Sequence, residues 1–334
     1  FRRVLFRSVQ ADDGLVVVGY GGAGQKAQEV AFFQPFTQQT GIPVVQSEYN
    51  GEMARIKVMA DTGHADWDLV QVEGPDLARG CDDGLFERLD WQAIGGKQQL
   101  IANAAQECGS AALVWGVAIG YDADRLQQPP ASWADFWDVQ RFPGKRGLRK
   151  RAIYNLEFAL LADGVPREQV YPLLATRAGA DRAFAKLGQL KPYIQWWEAG
   201  AQPAQWLAAG DVVMTSTYTG RIADAHRAGR NLALVWPGSL YGMDYWAVVK
   251  GSKRGAEARR FIAFANAPDA QVRYVENIPY GPTNRQAAQR LPAQLASWVP
   301  TAPANLEQGL AMDDEFWVEH GEELEERFNA WASQ

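Results

Sequence analysis

The chain has 334 residues, 47% of them hydrophobic, with 33 basic against 39 acidic side chains and a formal net charge of −6. A length past the range where a single core keeps growing, about 250–300 residues, predicts two lobes with a cleft between them. The acidic balance excludes the concentrated basic surface of a nucleic-acid binder, and no run approaches the roughly 18 apolar residues of a membrane span.

In chain order, the opening FRRVLFRS lacks the apolar core and small-residue cleavage site of a signal peptide, and residues 1–10 read as a remnant of cloning or assembly before a mature start near Ala11. Leu15 to Val18 is a short apolar strand, followed by a glycine-rich turn and a helix from about Gln25 to Gln39 that Gly41 ends. Ile42 to Val45 is a second strand, Glu52 to Ala60 a helix striped by Met53, Ile56 and Met59, and Trp67 to Val72 a third strand. This alternation predicts a parallel α/β sheet. Leu113 to Tyr121 reads as a strand leading out of the first lobe, and Ser132 caps a helix with Asp135 three residues on. The basic cluster Gly144 to Arg151 reads as a solvated turn. Helical periodicity recurs over 156–162, 181–187 and 202–209, before a strand at Val212 to Met214. After the strand Trp246 to Val249 come a helix from Ala256 to Ala265, a Pro/Gly-rich loop from Tyr274 to Thr283, and an acidic amphipathic helix from Asp313 to Ala332.

The stretch Thr215 to Val249 carries the strongest functional signal. It sets Arg221, at the opening of a helix, and Asp244, at a turn edge, among Tyr218, Tyr241, Tyr245 and Trp246. That pattern fits a small molecule held by an anionic and a cationic end; ordinary structural pairing of the two charges is the alternative. Tyr20, Trp115 and Tyr280 join this set because they stand at strand ends or in loops, where clefts of parallel sheets form.

Gly19-x-Gly21-x-x-Gly24 lies between a strand and a helix, the context of a dinucleotide fingerprint, with Glu48 placed late for the ribose. Tyr20 crowds that turn and none of the three histidines suggests a hydride-transfer site, so a binding cleft is preferred and a NAD-dependent oxidoreductase is the alternative of another class. No nucleophile, zinc or phosphate-loop motif is present in the sequence. Glu52 and Glu73 form a carboxylate pair with no catalytic spacing. Cys81 and Cys108 stand in segments read as loops; one disulfide accounts for them at least as well as two buried thiols.

Several segments together resemble the periplasmic solute-binding proteins of polyamine-type ABC transporters. They are Phe36-x-x-x-Thr40-Gly41-Ile42-x-Val44, Trp67-Asp68-Leu69-Val70 through Leu89-Asp90, Trp115-Gly116-x-x-x-Gly120-Tyr121, Ser132 to Trp137, Val235-Trp236-Pro237, Met243-Asp244 and Ile278 to Asn284. The resemblance implies a two-lobed type II fold, each lobe a mainly parallel α/β sheet flanked by helices with the ligand at the hinge. The expected division is 11–121 with 247–289, and 122–246 with 290–334. It also puts Asp244 on a ligand amine, with Tyr218 and Tyr280 beside the ligand chain. Two departures redirect the ligand: Arg149-Lys150-Arg151 stands where such proteins carry acids for a second amine, and Arg221 where they have a small residue. The pattern is similar to the branch that binds 4-aminobutyrate, a short ω-amino acid, with putrescine or spermidine, and Glu52 and Glu73 on a second amine, as the alternative. The expectation is a monomeric periplasmic binding protein, not an enzyme, without cofactor or metal, that delivers its ligand to a permease.

Overall fold

The computed structural model describes residues 14–126 and 128–333; the remnant expected at 1–10 lies outside them. Its centre is one mixed sheet of β1 (Leu15–Gly19), β2 (Val44–Glu48), β3 (Leu69–Glu73), β4 (Gly109–Asp122), β5 (Arg146–Arg149), β6 (Ile194–Trp197), β7 (Met214–Tyr218) and β8 (Leu232–Val248), with the two-residue β9 (Leu310–Ala311) beside β8. The order is β2-β1-β3-β8-β4-β7-β5-β6. β1 pairs in parallel with β2 and β3, and β5 with β6 and β7, whereas β8 is antiparallel to both β3 and β4.

The two long strands join the halves. Asp244 to Val248 of β8 lies between β3 and the start of β4, while Val117 to Tyr121 of β4 lies against β7. β1 and β3 are short apolar runs buried on both faces, as strands covered by helices on either side must be. In the first half Trp246 packs edge-on to Phe261, with ring centroids 5.5 Å apart, and Phe36 does the same at 5.3 Å. In the second, Trp133 stacks on Phe158 at 3.7 Å. The last helix, Asp314–Ala332, starts with the Asp313 carboxylate accepting from the Phe316 N–H and buries Phe316, Trp317, Leu324 and Phe328 along one stripe.

Four sequence expectations change. The basic cluster is no solvated turn: it forms β5, and Arg146 is wholly buried, its guanidinium donating to the carbonyls of Phe136, Asp138, Phe142 and Gly144. A buried cation is tolerable because every face of the guanidinium finds an oxygen. Tyr241 to Asp244 is no turn but the interior of β8. The missing side chain of Gly242 makes room for the ring of Trp115, since a Cβ there would stand 2.5 Å from Trp115 Cζ2. Tyr274 to Asn277, read as loop, is the last turn of the helix Pro268–Asn277. Cys81 lies in the helix Gly74–Asp82 rather than in a loop, and is bonded to Cys108.

Candidate functional site

The carboxyl end of β1, the middle of β4 and β8, the end of β7 and the helices that follow β1 and β7 converge on one cavity of about 50 Å³. A water needs about 10–15 Å³ by this measure, so the space suits a ligand of a few heavy atoms.

Arg221 enters from the third position of the helix Thr219–Arg227. It is 7% exposed, its Nη2 donates to the Gly21 carbonyl at 3.3 Å, and its Nε has no partner. Among the described residues no carboxylate lies within 4.0 Å of this guanidinium. The glycine-rich turn explains how it fits: Gly22 has φ +61° and a side chain there would collide with Arg221 Nη1. The turn thus accommodates an arginine where a dinucleotide fingerprint would present a pyrophosphate.

Asp244 is 6% exposed. Its Oδ2 accepts from Gln71 Nε2 at 2.6 Å, and its Oδ1 has no partner. Burial, and then the neighbouring Glu73 charge, push its carboxyl well above the usual range, against the opposing effects of Gln71, Arg149 and Trp115. An ammonium entering the cavity would reverse that push.

Aromatic side chains fill the wall between the two charges. Tyr20 stacks on Tyr49 with centroids 5.1 Å apart, Trp115 meets Tyr218 edge-on at 6.3 Å, and Tyr280 lies beside Arg221 and stacks near Tyr274 at 6.4 Å. Of the sequence-selected binding residues, Arg221, Asp244, Tyr218, Tyr20, Trp115 and Tyr280 line the cavity. The others stand elsewhere. Trp246 is core, packed on Phe261; Tyr241 packs beside Gly309; Glu52 is exposed and accepts from the Asn50 N–H.

Glu73 is buried behind the wall, where its Oε1 accepts from Arg149 at 3.0 Å, from Tyr154 at 3.1 Å and from Tyr218 at 3.3 Å, while Arg151 lies 3.9 Å from Oε2. Burial raises its pKa, but Arg149 and Arg151 outweigh burial and bring the carboxyl below its ordinary value. It is therefore a satisfied anion. Arg149 itself lines the cavity, as do Gln25, Gln28, Gln71 and Tyr274, all absent from the sequence selection. Gln71 had a visible signal, a lone amide within the apolar strand Leu69-Val70-Gln71-Val72; a buried polar group in such a strand needs a partner.

A family model, bacterial extracellular solute-binding protein, matches residues 31–305. The chain belongs to this family. A gamma-aminobutyric acid-binding protein of Pseudomonas aeruginosa is 58% identical over 320 residues, covering 96% of this chain and 91% of that protein. Among solved structures, the binding protein AgtB of A. tumefaciens R10 in complex with agropinic acid is 30% identical, with a TM-score of 0.89 over 97% of this chain and all of that one. A GABA receptor structure is 32% identical, with a TM-score of 0.85 over 96% and 97% of the two chains. The two-lobed type II fold is shared with these solute-binding proteins, whose family is extracellular. Membership of that family sets aside the dinucleotide alternative.

Proposed function

We propose that this solute-binding protein captures 4-aminobutyrate or a closely related ω-amino acid in the periplasm and hands it to the permease of an ABC transporter. Arg221 takes the ligand carboxylate and Asp244 its ammonium. Tyr20, Trp115, Tyr218 and Tyr280 cover the chain between them. The lobes, 11–121 with 247–289 and 122–246 with 290–334, close as a monomer over the ligand, the continuous strands β4 and β8 serving as flexing connections. The role is binding, without chemistry on the ligand.

One observation carries the reading: the same cavity holds a buried guanidinium with no acidic partner and a buried carboxylate oxygen with no donor among the described residues. Unmet buried charges cost several kcal/mol unless something else meets them, and a short zwitterion meets both at once. The relative at 58% identity, a gamma-aminobutyric acid-binding protein, supports the same choice. Titration calorimetry against 4-aminobutyrate, 5-aminovalerate, putrescine and spermidine tests it. Tightest binding by an ω-amino acid is expected, and a preference for putrescine or spermidine overturns it.

A further inference from the structure

A chain of amides continues from the carboxylate. Gln71 Nε2 donates to Asp244 Oδ2 at 2.6 Å, and Gln28 Nε2 donates to Gln71 Oε1 at 2.6 Å. Gln71 and Gln28 are 5% and 2% exposed. The direction of this chain is dictated from its acidic end. With an ammonium bound, Asp244 is ionised and only accepts, so Gln71 turns its NH2 toward Asp244 and its oxygen toward Gln28, and Gln28 must commit its own NH2 to that oxygen. What remains is Gln28 Oε1, a buried acceptor without a partner, on a residue that lines the cavity together with Asp244 and its own free Oδ1. The backbone is unusual at the same point: the helix Gly22–Gln28 passes directly into a π turn, Glu29–Phe33, a widening found frequently where a helix serves a site.

We propose that Gln28 Oε1 and Asp244 Oδ1 each accept an N–H of the ligand ammonium, so that the site selects a primary ammonium over its N-methylated forms. This rests on the ω-amino acid reading above. A primary ammonium brings three donors; each methyl replaces one with apolar bulk, and a trimethylated nitrogen leaves both acceptors unmet. The aromatic rings alone would not discriminate, because a quaternary ammonium suits aromatic faces well. Discrimination therefore comes from the amides. Gln28 touches the ligand, and Gln71 is a positioning residue that orients both acceptors.

The test is calorimetry on the full chain with 4-aminobutyrate and 4-(trimethylammonio)butyrate, for wild type, Gln28→Leu and Gln28→Met. Wild type is expected to favour 4-aminobutyrate by roughly 100-fold or more, and both variants to lose about tenfold for 4-aminobutyrate alone, as the loss of one charge-assisted hydrogen bond implies. The ratio between the two ligands therefore narrows. A merely structural Gln28 would lower the Tm and weaken both ligands alike. Wild type binding the trimethylated compound as tightly as 4-aminobutyrate, or variants that keep the wild-type ratio, overturns the proposal. The wild-type ratio needs no variant to fold. If wild type prefers putrescine, the ω-amino acid reading fails separately, and Gln28 is judged by the same ratio on putrescine against its N,N,N-trimethyl derivative.

Discussion

Replacing Arg221 by methionine separates a ligand contact from a structural cation. In the unliganded protein Arg221 makes one 3.3 Å hydrogen bond to the Gly21 carbonyl and leaves Nε unpaired in a buried setting. The bond is worth about 1 kcal/mol and an unmet buried N–H costs about 1–3 kcal/mol. Removing both should leave the Tm of the unliganded protein unchanged or raised. Binding of 4-aminobutyrate should suffer instead. A guanidinium–carboxylate contact in a closed cavity is worth about 2–5 kcal/mol on truncation, roughly 30- to 5,000-fold in Kd. Putrescine, which has no carboxylate, should bind the variant at least as well as it binds wild type. Calorimetry with both ligands and a thermal melt without ligand read all three quantities. A variant that melts lower while keeping its 4-aminobutyrate affinity would refute the reasoning.

Asp244 makes binding pH-dependent. Burial, then Glu73, holds its carboxyl well above the ordinary range in the unliganded protein, and a bound ammonium draws it back down. Binding therefore releases a proton, and affinity falls as pH drops below the raised value, by up to about tenfold per unit; titrations in buffers of different ionisation enthalpy count that proton, and a count of zero from about pH 5 to 8 contradicts this. Glu157 makes folding pH-dependent in a different way. Burial raises it from 4.5 to about 7, against the hydrogen bonds from Trp317 and Tyr171, and its Oε2 is unpaired. Its stabilising effect is whole below pH 4.5 and is lost as pH rises to about 7. Glu157→Gln should therefore gain up to about 3 kcal/mol over wild type between pH 4.5 and 8, read by urea denaturation; an equal difference at both pH values opposes it. The Cys81–Cys108 bond closes a loop with a sequence separation of 27, worth about 3–4 kcal/mol in the loop-entropy model. Cys81→Ser with Cys108→Ser should cost that order of stability, and an unchanged denaturation midpoint argues otherwise.

What the sequence revealed depended on how local each cause was. β1 and β3 were legible because an apolar run between turn signals carries its own explanation, whereas β2 runs over Val44–Glu48, two residues beyond the expected start at Ile42. β5 was not, because its arginines are buried only by virtue of what surrounds them: four carbonyls for Arg146, and for Arg149 a glutamate 76 positions earlier. The charged ends of the cavity showed through as one arginine and one aspartate in an aromatic setting. Gln28 did not, since the significance of its oxygen follows from a hydrogen-bond chain that crosses from a helix to β3 to β8. Tyr241 and Trp246 shared the aromatic signal of the site, but a strand period cannot say which neighbours a ring will meet.

The charges around the cavity narrow the ligand further than its size does. Arg149 and Glu73 cancel one another at 3.0 Å within the wall, and Glu198 at the rim pairs with Lys150 at 3.3 Å, which leaves Arg221 and Asp244, one of each sign. A zwitterion whose ends match them leaves the loaded cavity neutral. A diamine of similar length satisfies Asp244 and brings a second positive charge toward Arg221. Two like charges about 4 Å apart repel by roughly 4 kcal/mol at the effective dielectric of a protein surface, and by more where water is excluded. That is close to a thousandfold in Kd, set against the diamine by a residue that already has no acid to neutralise it. On the proposed ω-amino acid reading, Arg221 therefore works in both directions, holding the carboxylate of the right ligand and repelling the second amine of the wrong one.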